Sequence, residues 1–187
     1  MKKDCSMGYA TIITIITISL LAIIIFGLLS IYSLNNKMVQ SNESSTKAFY
    51  LGESGITVLK NEIDSLFEKN YYDYLNLLNY EESLPITFKE YVLQKKEHAH
   101  LEKVRQEVGL FDFYLDPHGW RLEAMFREDD IALYSTGYYR EARKRIEAII
   151  SYPSIKYIGE EEGEIKYYFI PSEILVYYQG YEGEHIE

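Results

Sequence analysis

An uninterrupted apolar stretch, Tyr9–Leu34, sets the first limit on what this chain can fold into. Its 26 residues include no charged side chain. That length exceeds the ~20 residues that a helix needs to cross a hydrocarbon core ~30 Å thick. A cleaved secretory signal has a shorter apolar region, ~7–15 residues, followed by a small-residue cleavage site. We therefore predict a membrane-spanning helix that is kept in the mature protein.

The charges that flank this stretch predict its orientation. Lys2 and Lys3 precede it, and Lys37 follows it. Positive residues are retained on the cytoplasmic side, so the pair at the start outweighs the single lysine at the end. We expect a single-pass protein of the cytoplasmic membrane, with its N-terminus inside and the rest of the chain outside.

Hydroxyl side chains recur inside the apolar stretch, at Thr11, Thr14 and Thr17, with Ser19 close by. Two interpretations stay open. Such hydroxyls can bond to carbonyls of the preceding turn and are then simply tolerated in lipid. They also form a small face that favours packing against another helix.

A helical stripe follows the apolar stretch, within residues 37–69, which contain no proline. Apolar or small residues recur there at steps of three and four, a spacing typical of one helix face. They are Phe49, Gly52, Ile56, Leu59, Ile63 and Leu66. Such a helix is poorly supported alone in water, so we expect a C-terminal domain to cover the stripe.

The remaining residues, 70–187, predict an antiparallel sheet. In GWRLEAMFRE, Trp120, Leu122, Ala124 and Phe126 alternate with more polar neighbours, the period of a half-buried strand. DIALYSTGYY and RKRIEAIISY predict two more strands, joined near residues 140–142, and SIKYIG with EIKYYFI predicts a hairpin. ILVYY adds a candidate strand, DPHG (116–119) predicts a turn, and one or two helices are expected between residues 86 and 109. The predicted fold class is α+β, with a long N-terminal helix packed against a C-terminal antiparallel β-sheet head.

Charge argues against a nucleic-acid partner. The chain has 19 Lys plus Arg against 29 Asp plus Glu, a net charge of -10. Phosphate binding needs a basic face, and the one local group of basic residues, 140–145, is interpreted as exposed sheet surface.

The sequence offers little for catalysis or metal binding. His98 and His100 are two residues apart and lack a third ligand at compatible spacing, whereas a zinc site uses three or four. His118 is interpreted as a turn residue, and GEEEGE (159–164) as an acidic hairpin tip rather than a calcium site. Cys5 is the single cysteine. We predict no catalytic residue, no metal and no cofactor.

Two segments together resemble a known family. A short basic leader ends at Gly8, and the chain then runs from Tyr9 directly into the apolar helix. The segment AFYLGESGI (48–56) is similar to the "AFxxAExG" segment of minor pilins related to type IV pilus assembly and to type II secretion pseudopilins. STGYY (135–139) followed by ARKRIEAII resembles a strand pair that such heads often carry. The chain thus resembles a type IV prepilin.

The resemblance implies a processing and assembly pathway. A prepilin peptidase would cut between Gly8 and Tyr9 and methylate the new amino group of Tyr9. The inner half of the helix would pack with other pilins or pseudopilins in a filament core, with the pilus assembly machinery as a further partner. Within the AFYLGESGI segment, Glu53 has two open interpretations, a contact with the head or a solvated position.

One position departs from the family pattern. Pilins usually carry a glutamate at the fifth mature position, and here that position is Ile13. The family glutamate is rationalised as neutralising the terminal ammonium of a neighbouring subunit, at a cost of ~2.5–3.5 kcal/mol in the membrane. Its absence favours a minor subunit over a major pilin.

These observations predict four parts: a leader (1–8), a membrane-spanning half of the helix (9–36), an extracytoplasmic half (37–69) and a globular head (70–187). The predicted function is that of a structural minor pilin or pseudopilin in a pilus, secretion or competence system, and not an enzyme. The alternative is an uncleaved single-pass membrane protein with an extracellular binding or sensor domain. A membrane-anchored enzyme is a third, weaker hypothesis.

Overall fold

The structure is a computed structural model that describes residues 4–80, 86–161 and 164–180. Its first element is a single helix, α1 (Asp4–Tyr80), of 77 residues. By their internal contacts the residues form two compact units, Met1–Glu43 and Ser44–Glu187. Each unit is described by itself below.

The first unit is helical wherever it is described. Its large apolar side chains are exposed all round the helix, from Tyr9 and Ile12 through Leu34 to Val39. A helix that is apolar on every side is typical of a membrane span. In this part of α1, Thr14, Thr17 and Ser19 donate hydrogen bonds of 2.8 Å to the carbonyls of Ala10, Ile13 and Ile15 respectively.

The second unit begins with the Ser44–Tyr80 part of α1. Two short helices follow, α2 (Phe88–Gln94) and a 3-10 helix (Glu97–His100). Thr87 caps α2: its hydroxyl accepts from the Glu90 N–H, and the Glu90 carboxylate accepts from the Thr87 N–H. These bonds to Thr87 lower the pKa of Glu90.

The described residues of the second unit also form seven strands. They are β1 (Arg105–Val108), β2 (His118–Phe126), β3 (Asp130–Tyr139), β4 (Ala142–Ser151), β5 (Ser154–Glu161), β6 (Glu164–Ile170) and β7 (Ile174–Gly180). Five form one antiparallel sheet in the order β1-β2-β3-β4-β7, and β5 with β6 forms a separate antiparallel pair. The predicted α+β fold, with a long helix packed on an antiparallel sheet, is therefore confirmed.

The core lies between the Ser44–Tyr80 part of α1 and one face of the five-stranded sheet. Alternate residues of each strand point to opposite faces, so each strand contributes every second side chain. The largest fully buried apolar side chains are Ile56, Leu59, Ile63 and Phe67 from α1, Leu122, Ile131, Leu133, Ile146 and Ile150 from the sheet, and Val92 and Leu101 from the connecting segment.

The structure corrects the predicted end of the long helix. It continues past residue 69 to Tyr80, because the next turns also carry a buried stripe. Tyr71 and Tyr74 are 8% and 5% exposed, and their rings contact Phe169 and Phe88. The Tyr71 hydroxyl also donates to the Tyr167 carbonyl at 2.7 Å, which attaches β6 to α1.

The one or two helices expected between residues 86 and 109 are confirmed as α2 and the 3-10 helix, and β1, a strand that was not predicted, follows them and pairs with β2. Two further local predictions are corrected. His118 is a buried residue at the start of β2 and not part of a turn. Arg140 does not lie on a strand: it sits between β3 and β4 with a positive φ of 54°.

Candidate functional site

The apolar part of α1 has the properties of a membrane span. In the part of the chain that the structure describes, one helix is long and apolar enough to cross a membrane, and its most apolar window contains no buried residue. Tyr9 is 69% exposed and Ile13, the position of the expected glutamate, is 49% exposed. Both lie in helical backbone, as does Gly8. Residues 1–3 of the predicted leader lie outside the described residues.

The hydroxyls inside this stretch need no external partner for their protons. Thr14, Thr17 and Ser19 each bond to the carbonyl four residues earlier. This arrangement satisfies the donor within the helix and lowers the cost of a hydroxyl in lipid. The side chains at these positions are also small. The structure is therefore compatible with both interpretations, hydroxyls tolerated in lipid and a face that packs against another helix.

The stripe predicted at residues 49–66 faces the sheet. Gly52, Ile56, Leu59, Ile63 and Leu66 are buried, and Phe49 is half-buried. The stripe is therefore covered inside this chain by its own head.

Glycines allow the helix and sheet backbones to approach very closely. A Cβ added at Gly137 of β3 would lie 2.1 Å from the Ala48 carbonyl oxygen and 2.2 Å from the Gly52 nitrogen, both backbone atoms. One added at Gly55 would lie 2.3 Å from the Ser135 Oγ. The AFYLGESGI segment and STGYY, the two segments noted for their family resemblance, thus pack against each other here.

Glu53 is half-buried beside Tyr177 of β7, which favours a contact with the head over a fully solvated position. Burial, followed by the negative charge of Glu53 and hydrogen bonding to its carboxylate, raises the pKa of Tyr177 to about 12. The sequence signal for this contact was limited to a glutamate inside an otherwise small and apolar helix segment.

Polar contacts hold the loop before β2 against the start of the helix stripe. Asp116 accepts hydrogen bonds of 2.8 Å from both the Arg140 guanidinium and the Tyr139 hydroxyl. These two donors hold the pKa of the Asp116 carboxyl below its usual range. The Lys47 ammonium lies 4.7 Å from the centre of the Tyr139 ring, a cation–π contact between α1 and β3.

A second set of polar contacts secures the farther part of the helix. Asp64 accepts from the backbone N–H of Ser172 at 2.8 Å and from the Lys60 ammonium at 2.7 Å. Arg105 of β1 donates two hydrogen bonds to the Glu62 carboxylate. The outer half of α1 is therefore joined to β1 and to the β6–β7 connection as well as packed on the sheet.

The described histidines contact an aromatic ring or backbone groups of the head. The His98 ring lies against Phe126 at 4.9 Å between centres, and His100 Nδ1 contacts the Glu97 carbonyl. Buried His118 accepts from the Phe111 N–H at Nε2 and contacts the Asp116 carbonyl at Nδ1, which fixes a neutral ring with its proton on Nδ1. Among the described residues no group of three or more side chains could hold a metal ion. His185 and most of the GEEEGE tip lie outside the residues whose side chains are described.

Comparisons with protein-family models, curated proteins and solved structures found no match to this chain.

Proposed function

We propose that this protein is a structural subunit of the type IV pilin and pseudopilin class, a minor one, that is cut after Gly8 and assembled through its apolar helix. The observation that carries the proposal is the division of α1. One continuous helix carries first an apolar stretch whose large side chains are exposed and then a stripe that its own head buries. A long apolar N-terminal helix followed by an antiparallel sheet head is compatible with a pilin-like membrane protein.

The two halves suit two successive environments. In the membrane, lipid covers Tyr9–Leu34. In a filament, the same surface would be covered by the corresponding helices of other subunits, so one apolar surrounding replaces another. Association of this kind depends on close packing more than on hydrophobicity, because lipid and helix surface are equally apolar. Ile13 contributes only apolar surface there, which fits a subunit that offers no carboxylate to a neighbour's terminal ammonium.

The experiment is an intact-mass and N-terminal sequence measurement on the protein from its own host, where a prepilin peptidase is present. We expect a chain that begins at Tyr9 with one methyl group on its amino terminus. The variant Gly8→Phe should keep residues 1–8, because a bulky side chain replaces the small residue at the cut. Gly27→Phe, at a position where an added Cβ meets nothing within 4 Å, is the matched control and should be processed normally.

A wild-type chain that keeps Met1 in a host with an active prepilin peptidase would overturn the proposal. It would favour the alternative, an uncleaved single-pass membrane protein whose extracellular domain binds or senses a ligand. The same result would leave the α+β fold of the head unchanged.

A further inference from the structure

Residues 109–117, which connect β1 to β2, form a strap over the start of the helix stripe. Three half-buried side chains of this strap pack against the apolar core of the head: Leu110, Phe111 and Tyr114. The cluster that they join includes Ala48 and Leu51 of α1. The Phe111 ring also lies against the indole of buried Trp120, with 6.4 Å between the ring centres. The strap therefore shields apolar surface that its opening would expose.

Other parts of the strap have little attachment to the head. Phe113 is 72% exposed and Leu115 is 99% exposed. Gly109, the first residue of the strap, has a φ of 69°, a backbone conformation that a residue without a Cβ adopts readily. Segments with few buried apolar contacts open locally at a smaller cost than the whole fold. The closed strap therefore depends strongly on its specific hydrogen bonds.

The His118 ring makes two of these bonds, one to each half of the strap. The Phe111 N–H donates to Nε2 at 3.0 Å, and Nδ1 donates to the Asp116 carbonyl at 2.8 Å. The ring is almost completely buried and stacks on the Phe111 ring, with an angle of 13° between the two planes. One imidazole thus connects the strap to the first residue of β2.

This arrangement requires a neutral imidazole. A backbone N–H can only donate, so the Nε2 atom that faces Phe111 must carry no proton. Protonation would set two donors against each other and would place a charge at a residue that is 3% exposed. Both consequences disfavour the closed strap. An open strap lets water hydrate the imidazolium, so opening is coupled to the uptake of one proton.

Other charges near the strap affect the pH at which the ring gains its proton. Among the described residues, the titratable or charged groups of the strap and of the elements packed against it are Asp112, Tyr114 and Asp116 in the strap, Lys47 on α1, Glu107 on β1, Tyr138 and Tyr139 on β3, and Arg140 after β3. They do not reverse the direction of the effect, because the loss of the acceptor follows from protonation of Nε2 itself.

We propose that His118 is a pH-sensitive latch, which holds residues 109–117 closed over Trp120 when neutral and releases them when protonated. The open form binds more protons, so acid favours it. Histidine in water gains its proton near pH ~6.5, within the range where such a latch can operate. Release exposes the apolar cluster around Ala48 and Leu51, a surface of the head that is covered at neutral pH. This inference does not rest on the proposed assembly function.

The test is acrylamide quenching of tryptophan fluorescence in the full chain, held in a non-ionic detergent, from about pH 8 to about pH 4.5. Trp120 is the only tryptophan of the chain, and the strap covers it. We expect the quenching constant to rise about twofold or more as the pH falls. Circular dichroism should stay constant over the same range, because the helix and the sheet remain folded.

Three variants assign the change to the latch. His118→Gln keeps a side chain that can accept and donate but cannot titrate, so its quenching should not depend on pH. His100→Gln removes an exposed histidine outside the strap, and as the matched control it should keep the wild-type response. Asp116→Asn tests the other acid-sensitive group. Its donors, Arg140 and Tyr139, hold the pKa of the Asp116 carboxyl below its usual range, so release through this carboxyl would come at lower pH. Asp116→Asn should still show the transition.

The proposal is overturned if quenching is the same at both ends of the pH range, if His118→Gln keeps the transition, or if Asp116→Asn abolishes it. Should His118→Gln lose its fold, the wild-type chain carries the test by NMR. The ring carbons of His118 must then titrate at the same pH as the quenching, and a ring that titrates with no change in quenching also overturns the proposal. Cleavage after Gly8 is measured separately, so a negative result here leaves the proposed assembly function unaffected.

Discussion

The two parts of α1 share one helical backbone but differ in how their apolar side chains are arranged and buried. Between Tyr9 and Leu34 apolar side chains point in every direction, and no residue of that stretch is buried by the described part of the chain. Between Ser44 and Tyr80 apolar side chains form one stripe, which the sheet buries, while the charged residues Glu62 and Asp64 bind neighbouring elements. The distribution of apolar residues around a helix therefore indicates whether its partner is lipid or its own domain.

The largest loss of stability is expected when a Cβ is added where the helix and the sheet backbones are in close contact. Gly137→Ala places a Cβ against the Ala48 carbonyl and Gly52 nitrogen of α1, and backbone atoms cannot move aside easily. We expect a loss of about 3 kcal/mol or more in the unfolding free energy, or failure to fold. The full chain is unfolded with denaturant in detergent, and the fluorescence of Trp120 monitors the transition.

The matched substitution in the other part of the helix is Gly27→Ala. An added Cβ there meets nothing within 4 Å, so the unfolding transition of the head should not move. Equal destabilisation by the two substitutions would contradict the close helix–sheet approach at Gly137.

A smaller effect is expected from removing apolar volume. Leu59 is fully buried, and Leu59→Ala should lower the unfolding free energy by about 2–5 kcal/mol, because it leaves a cavity. Ile23 is 71% exposed, and Ile23→Ala should change the same transition by about 0.5 kcal/mol or less. Comparable losses at both positions would show that the apolar stretch is also covered by the head.

The smallest effect concerns the polar contact between the helix stripe and β7. Burial and Glu53 raise the pKa of Tyr177 from 10.0 to about 12, so the folded state holds the phenol proton more tightly than the unfolded state. The stability from this contact should be complete below pH ~10 and should decline as pH rises toward 12. Glu53→Gln should lower the pKa of Tyr177 without restoring it fully, since burial is the larger cause.

That change is measured by NMR titration of tyrosine ring carbons, with Tyr177→Phe assigning the resonance. Glu62→Gln is the control, because Glu62 binds Arg105 and not Tyr177. If Glu53→Gln leaves the titration of Tyr177 unchanged, the contact does not exist in solution.

Sequence patterns predict the fold correctly where apolar residues repeat with the period of one helix or strand. The apolar stretch, the stripe from Gly52 to Leu66 and the alternation in β2, β3 and β4 all follow from local periodicity. They predicted the helix, the sheet and the face on which the two meet.

The features that were missed depend on distant residues. Tyr71 and Tyr74 extend the helix because Phe169 and Phe88 cover them, whereas tyrosine is enriched in strands, so the local sequence does not predict this extension. Edge strand β1 is short, polar and exposed along most of its length, so it has no alternation to detect and is defined by its pairing with β2. The contact of Glu53 with Tyr177 likewise arises from the fold, because β7 lies far from α1 in the sequence.

The proposed function makes one central claim: the surface of Tyr9–Leu34 is covered first by lipid and then by other subunits. Its most direct test follows the wild-type protein by immunoblot in host cells, comparing the membrane fraction with filaments sheared from the cell surface. The account predicts leader-bearing chain in the membrane only and chain beginning at Tyr9 in both fractions, with the filament-associated chain lost in Gly8→Phe. Full-length protein confined to the membrane, in cells that assemble filaments normally, would contradict it.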